Sequence, residues 1–221
     1  MGSDFGNLSS SVVLWEVDGQ ADFMLPGGRL YVPQAEKIIP NINCLVGASR
    51  EARVLLISSA DAHQPDDAEL GEWPPHCIKG TPGAELIAEA RAPKRLVIPN
   101  RAGVTLPRDL RSYQQYVLEK NTLNVFDNPN TDTLLDRFSR EGLQPDAEFV
   151  VFGVATEYCV RIIAEELLNR GRPVALVSDA IRAIDPAKGE QVIGDLRSRG
   201  ARLLTSEQAL SLVNMRPVGS V

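Results

Sequence analysis

The sequence predicts an α/β chain with a three-layer α/β/α arrangement around a central, mostly parallel sheet of roughly six strands. Two observations predict it. Six short apolar runs lack the polar alternation of a half-exposed sheet, and amphipathic helical patterns fall between them. Strands buried on both faces read as such Val- and Ile-rich runs, and strand–helix alternation implies right-handed crossovers. The length of 221 residues suits a single domain of this kind, expected over residues 11–215. Residues 1–10 (MGSDFGNLSS) are small and polar and are expected to be flexible.

The elements follow in order. The first run is 12–17 (VVLWEV), where Glu16 is a charge that needs a buried partner or an exposed edge. A helix is expected over 40–51, with Pro40 in its first turn, Ile42, Leu45 and Val46 on one face, and Cys44 in the core. Runs at 54–57 (VLLI) and 96–98 (LVI) come next, then a short extended piece at 116–119. Leu134, Leu135 and Phe138 predict a helix over 131–141 that stops at Gly142. After the run 149–152 (FVVF), Ile163, Leu167 and Leu168 predict a helix over 160–170. The run 174–177 (VALV), a helix over 190–199 and the run 203–204 complete the sheet, and Ser206 is the expected N-cap of a last helix over 207–213. Residues 60–85 and 101–130 break this rhythm; loops so long in a compact domain are commonly functional.

Composition narrows the function. Hydrophobic residues at 43% and charged residues at 24% describe a globular chain, and no apolar run approaches the ~18 residues of a membrane span. A net charge of −6 argues against nucleic acid or an anionic membrane as partner. The opening residues lack a basic–apolar–small signal pattern, and an odd count of three cysteines suits a reducing compartment, so a cytoplasmic location is expected. There is no Gly-x-Ser-x-Gly elbow, Walker loop or dinucleotide fingerprint.

Ligands of open α/β sheets bind beyond the carboxyl ends of the strands, so the residues that follow each run matter most. Asp18 follows the first, Asp61 and His63 the second, Lys120 the extended piece, and Cys159 the run 149–152. Cys159 is placed in the first turn of a helix, where N–H groups and the dipole lower a thiol pKa; otherwise it is a small buried hydrophobe. Asp18 with Lys120 is the remaining acid/base pair for it, since both histidines suit another role; otherwise Lys120 is a surface charge. Asp61, His63 and His76 fall in one loop of a chain with only two histidines. One carboxylate and two imidazoles suit one divalent ion of zinc, iron or manganese; otherwise they are metal-free polar loop residues. Cys77 beside His76 is ambiguous, and a closed structural zinc site including it is a further reading.

Four stretches are similar to the nicotinamidase branch of the isochorismatase-like cysteine hydrolases, over residues 12–204. They are Val17-Asp18-Gly19-Gln20-Ala21-Asp22-Phe23 with Pro26-Gly27-Gly28; Asp61-Ala62-His63; Trp73-Pro74-Pro75-His76-Cys77 with the residues to Ala84; and Gly153-Val154-Ala155-Thr156-Glu157-Tyr158-Cys159-Val160. The resemblance implies hydrolysis of nicotinamide to nicotinate and ammonia. It implies Cys159 as nucleophile, Asp18 as general acid/base and Lys120 as its support. An oxyanion hole comes from the N–H groups of Ala155 and Cys159, with a cis Val154–Ala155 peptide. Asp61, His63 and His76 hold the metal, and Phe23, Trp73 and Tyr158 surround the ring. Lys120 is followed by Asn121-Thr122-Leu123-Asn124-Val125-Phe126, similar to the family's Lys-x3-Ser/Asp-x-Phe. A histidine that many relatives place between the other metal ligands is absent; Asp66, Asp67, Glu69, Glu72 or water replaces it, with Glu69 favoured. The resemblance also implies a homo-oligomer with a small-molecule amide as its partner. Other readings are a hydrolase of another small amide or carbamoyl compound, and a non-catalytic ligand-binding homologue.

Overall fold

A computed structural model of the chain describes residues 11–214. Residues 1–10, expected to be flexible, and residue 215, the last of the expected domain, lie outside the described residues. Seven strands are present among the described residues: β1 (Val12–Val17), β2 (Leu55–Asp61), β3 (Arg95–Ile98), β4 (Gln115–Lys120), β5 (Glu148–Val154), β6 (Val174–Arg182) and β7 (Arg202–Leu204). They form one parallel sheet in the order β3-β4-β2-β1-β5-β6-β7. The strand beyond the expected six is β4. Gln115, Glu119 and Lys120 interrupt its apolar character, yet Gln115 and Lys120 are fully buried and pair in register.

Six α-helices among the described residues flank the sheet: α1 (Ala21–Met24), α2 (Ile39–Arg50), α3 (Thr131–Arg140), α4 (Arg161–Asn169), α5 (Pro186–Ser198) and α6 (Ser206–Asn214). The crossover through α2 moves along the sheet in one direction, and those through α3, α4 and α5 move in the other. Right-handed connections therefore put α2 on one face and α3, α4 and α5 on the opposite face. Helix α6 returns to pack on α2, and α4 packs on α5. No helix among the described residues is long and apolar enough to cross a membrane.

Three local details differ from expectation. Cys44 is exposed, because the buried stripe of α2 runs through Ile42, Leu45 and Val46 and leaves Cys44 on the other side. Helix α5 begins a turn earlier than expected, at Pro186, because the Asp185 carboxylate accepts the N–H groups of Ala187 and Lys188. The N-cap of α6 is Thr205 rather than Ser206. Thr205 Oγ1 accepts the Gln208 N–H at 3.2 Å while Gln208 Oε1 accepts the Thr205 N–H at 2.9 Å, a capping box.

Strand β1 is the axis of the fold. Its neighbours are β2 and β5, and the chain runs outward from it in both directions, which opens a crevice at its carboxyl end. Gly153, paired with Val17, lets β5 close on β1: a Cβ there would collide with the Val17 backbone, and its φ of 121° suits glycine. Trp15 is fully buried, with its ring 5.7 Å from Phe126 and 6.0 Å from Phe149.

Glu16 has neither a charged partner nor an exposed edge. It is fully buried, and neither carboxyl oxygen makes a well-formed hydrogen bond. Burial pushes its pKa up to about 8, against a smaller pull downward from Ser58 and the Gly19 backbone. The carboxyl is therefore neutral through most of the working pH range. The apolar side chains of β1, each worth roughly 1.5–3 kcal/mol on burial, outweigh the cost of hiding it.

A pH dependence of stability follows. The folded pKa lies above the unfolded one, so the folded state holds the proton more tightly and stability falls as pH rises from about 4.5 to about 8. Glu16→Gln removes this loss. In urea titrations the variant should exceed the parent by roughly 2–5 kcal/mol at pH 9, with the gap closing toward pH 4. A constant gap would contradict the account of Glu16.

Candidate active site

The crevice at the ends of β4, β2, β1 and β5 holds a small pocket lined by Asp18, Asp61, Trp73, Tyr158 and Cys159 among others. The adjacent strand ends bring Lys120, Asp61 and Asp18 to one rim, and the turn after β5 adds Cys159. Asp18 leaves β1 with a φ of 52°, a left-handed conformation that aspartate tolerates better than most residues. Its Oδ1 accepts the Ser59 hydroxyl at 2.6 Å and its Oδ2 lies 3.1 Å from Lys120 Nζ.

Lys120 is completely buried, not a surface charge. Its ammonium donates to Asp61 Oδ1, pairs with Asp18 and reaches Cys159 Sγ at 3.5 Å. Burial works against this charge, but the Asp18 and Asp61 carboxylates outweigh it and hold the pKa well above the ordinary lysine value. For Asp61, burial raises the pKa, but Lys120, His63 and His76 pull it down to a net value below the carboxylate range. Asp18 ends above the ordinary value, because burial and the Asp61 charge exceed the pull of Lys120 and Ser59.

Cys159 sits in a π-turn, Thr156–Val160, that leads into α4. The Val154–Ala155 peptide before it is cis, and Ala155 lines the pocket beside the sulfur. The thiol does not have the lowered pKa expected at a helix start. Burial, with the Asp18 and Asp61 charges, pushes it well above the ordinary value despite Lys120. The sulfur therefore rests as a thiol beside a carboxylate that can take its proton.

The second cluster adjoins the first through Asp61. One ligand atom each from Asp61, His63, Glu69 and His76 lies within 4.8 Å of all the others. The Nε2 atoms of His76 and His63 stand 3.3 and 3.6 Å from Asp61 Oδ2. Their Nδ1 atoms are held from behind, His63 by Asp67 at 3.3 Å and His76 by the Pro74 carbonyl at 2.7 Å. Such outer partners orient imidazoles for metal binding. His63 Nε2 is buried with no hydrogen-bond partner and is aimed into the cluster, so the donor set fits a divalent ion. Of the four acidic residues expected to complete the cluster, Glu69 joins it, while Asp67 serves the far side of His63 and Asp66 and Glu72 lie outside it. Cys77 is buried with its sulfur toward the Gly83 carbonyl, 3.9 Å away, which leaves it out of the cluster.

Phe23, Trp73 and Tyr158 all line the pocket. Trp73 meets Tyr158 edge-on at 5.2 Å, and Phe23 lies 5.3 Å from the His76 ring. Sequence reasoning missed Ser59, which holds Asp18, and the apolar walls Leu30, Val32, Leu123 and Ile184. Those walls are ordinary aliphatic residues in connecting segments and carry no local signal.

The model of the isochorismatase domain family matches this chain over residues 12–104 and 92–208. The chain belongs to the isochorismatase family. The chain is similar to the nicotinamidase of Acinetobacter baylyi, 31% identical over 195 residues, covering 80% of this chain and 84% of that one. The pyrazinamidase of Pyrococcus horikoshii, solved in complex with zinc, is 29% identical with a TM-score of 0.69, covering 88% of this chain and 99% of that one. The N-carbamoylsarcosine amidase of Thermoplasma acidophilum is also 29% identical, with a TM-score of 0.66, covering 88% of this chain and 96% of that one. This isochorismatase-family protein is a hydrolase acting on amide C–N bonds, with a cluster that suits a divalent metal.

Removal of the central cation tests the electrostatics. Lys120→Met leaves Asp18 and Asp61 buried without their countercharge, a loss of about 3–5 kcal/mol in the metal-free protein at pH 8. The Asp18 pKa, already above its unfolded value, then rises further and that of Asp61 rises from below its own, so protonation relieves the penalty as pH falls. Urea unfolding should show a smaller deficit at pH 5 than at pH 8.

Proposed function

We propose that this amidohydrolase converts nicotinamide and water to nicotinate and ammonia through a thioester on Cys159. The observation that carries the reading is the shared ammonium of Lys120. It lies 3.1 Å from the Asp18 carboxylate and 3.5 Å from the Cys159 sulfur, buried behind a pocket wall that Asp18, Cys159 and, from the metal-type cluster, Asp61, Glu69 and His76 line. A nucleophile, its proton acceptor and a metal-type donor set thus face one small space.

The steps use the chain's own groups. Asp18 takes the Sγ proton, and Lys120 offsets the charge of the thiolate. The thiolate attacks the amide carbon, and the N–H groups of Ala155 and Cys159 receive the developing oxyanion. Asp18 returns the proton to the amide nitrogen, the C–N bond breaks and ammonia leaves. Asp18 then takes a proton from water, hydroxide adds to the thioester, the C–S bond breaks, and Asp18 restores the thiol proton. Asp61, His63, Glu69 and His76 would hold a divalent ion, which when bound supplies Lewis acidity to a ring nitrogen of the substrate. Phe23, Trp73 and Tyr158 pack the ring and exclude water.

The lining also favours a neutral ring amide over a carbamoyl amino acid. Among the described residues the pocket wall carries no arginine or lysine, while Asp18, Asp61 and Glu69 face it. A substrate carboxylate has no cation to meet there.

Ammonia release from nicotinamide, pyrazinamide and N-carbamoylsarcosine by the zinc-loaded protein tests the reading. Turnover is expected with the two ring amides and not with the carbamoyl acid. Cys159→Ala should abolish it, and Asp18→Asn should lower kcat by about 10²–10⁴-fold. No ammonia from either ring amide, in a sample with bound zinc and a titratable Cys159, would refute it.

A further inference from the structure

The segment that opens with Asp18 carries two more buried polar side chains that take no part in the steps above. Gln20 is fully buried, and Asp22 is 5% exposed. The Gln20 amide grips the peptide of Asp61 from both sides: Nε2 donates to the Asp61 carbonyl at 2.7 Å, and Oε1 accepts the Asp61 N–H at 2.7 Å. The second Nε2 proton goes to the Ala84 carbonyl, also at 2.7 Å. Asp22 Oδ2 accepts the N–H of Cys77, the residue after His76, at 2.7 Å, and its Oδ1 accepts the Arg29 N–H at 3.1 Å.

These contacts fall where the metal-bearing loop most needs support. Residues 62–87 contain only short 3₁₀ turns and isolated β-bridges, yet they must place His63, Glu69 and His76 around Asp61. Cys77 has a φ of 45°, unfavourable for a residue with a side chain, and the Asp22 carboxylate is what holds its N–H. Gly83 packs on the Asp22 carboxylate so closely that a Cβ would overlap it. The backbone continues the seam: Ala21 N–H donates to Glu85 at 3.0 Å, and Ile87 N–H donates to Gly19 at 2.8 Å.

We propose that Gln20 and Asp22 are positioning residues for the metal site, which tie its ligand loops to the strand end that carries Asp18. The inference rests on the metal reading of the Asp61 cluster. The residue types are specific to the task. An amide side chain offers donors to two carbonyls and an acceptor to one N–H, and a carboxylate offers a separate oxygen to each of two N–H groups. One six-residue stretch, residues 18–23, therefore supplies the general base, the clamp on one metal-bearing strand end, the clamp on the His76 turn, and an aromatic wall of the pocket. Registering these parts against each other fixes the distance between the nucleophile's partner and the substrate's anchor.

The test is metal affinity in the folded, metal-stripped protein. Gln20→Leu, Asp22→Ala and Asp22→Asn are titrated with zinc against a chromophoric chelator, well below each melting midpoint. The cobalt absorption spectrum and the rate of Cys159 alkylation by iodoacetamide are recorded on the same samples. Gln20→Leu and Asp22→Ala should weaken zinc by about 10–100-fold and alter the cobalt bands, while alkylation stays within about twofold of the parent. Asp22→Asn, which keeps one acceptor oxygen, should fall between parent and Asp22→Ala, and it decides the question if the others do not fold. Parental zinc affinity and cobalt bands in the folded variants would overturn the proposal and leave both residues as loop packing. A parent that binds neither zinc nor cobalt would overturn the metal reading itself, and the proposal with it.

Discussion

Lys120 ends β4 with its ammonium wholly inside the protein, and Asp61, its register partner on β2, meets it there. A buried charge of this kind costs several kcal/mol unless it is paired and hydrogen-bonded. Asp61 on one side and Asp18 on the other meet that cost, and the lysine in turn offsets the charge of two buried carboxyl groups held close together. None of the three is tolerable alone. Because Asp61 also faces His63 and His76, this one cation joins the acid/base pair of the nucleophile to the metal-type cluster. The two halves of the site form a single electrostatic unit.

The sheet explains why that unit can exist. Its central order, β4-β2-β1-β5, is also the order of Lys120, Asp61, Asp18 and the Cys159 turn along the rim. Neighbouring parallel strands lie about 4.8 Å apart, which is the spacing that ion pairs and proton transfers between adjacent ends require. The apolar burial of β1 and β5 holds these ends in place, so the core spends its stability on registering polar groups. The β5 end must come close to β1 for the sulfur to reach Lys120, and Gly153 is the residue that permits it.

Much of this was legible in the residues, for physical reasons. Strands buried on both faces have no polar alternation, so β1, β2, β5 and β6 stand out, and the reactive residues follow from the rule that parallel sheets bind at their carboxyl ends. What escaped depended on distant contacts. Strand β4 looked like a short extended piece because Gln115 and Lys120 are polar; their burial is compensated by β2, the Ala90–Ala92 backbone and two carboxylates far away in sequence. The thiol of Cys159 is governed by burial and by carboxylates on β1 and β2 rather than by its own turn. Cys44 shows the limit of a helical pattern without a phase, and Leu30, Val32 and Ile184 become pocket walls only once the chain has closed.

The charge inventory carries the synthesis one step further. Asp18, Asp61 and Glu69 face one pocket, and Lys120 is the only buried ammonium among the described residues. The protein's own groups are therefore in negative excess, which is part of why Glu69 and the Cys159 thiol sit above their ordinary pKa values, after burial itself. A divalent cation in the Asp61–His63–Glu69–His76 cluster would balance that excess, so the donor set and the electrostatics agree on what belongs there. In the proposed reaction the same excess acts differently on the two ends of the path. A neutral amide enters an apolar, ring-lined pocket without opposition. Its hydrolysis product is a carboxylate formed within reach of Asp18, Asp61 and Glu69, and repulsion at short range in a low-dielectric site favours its departure over its return.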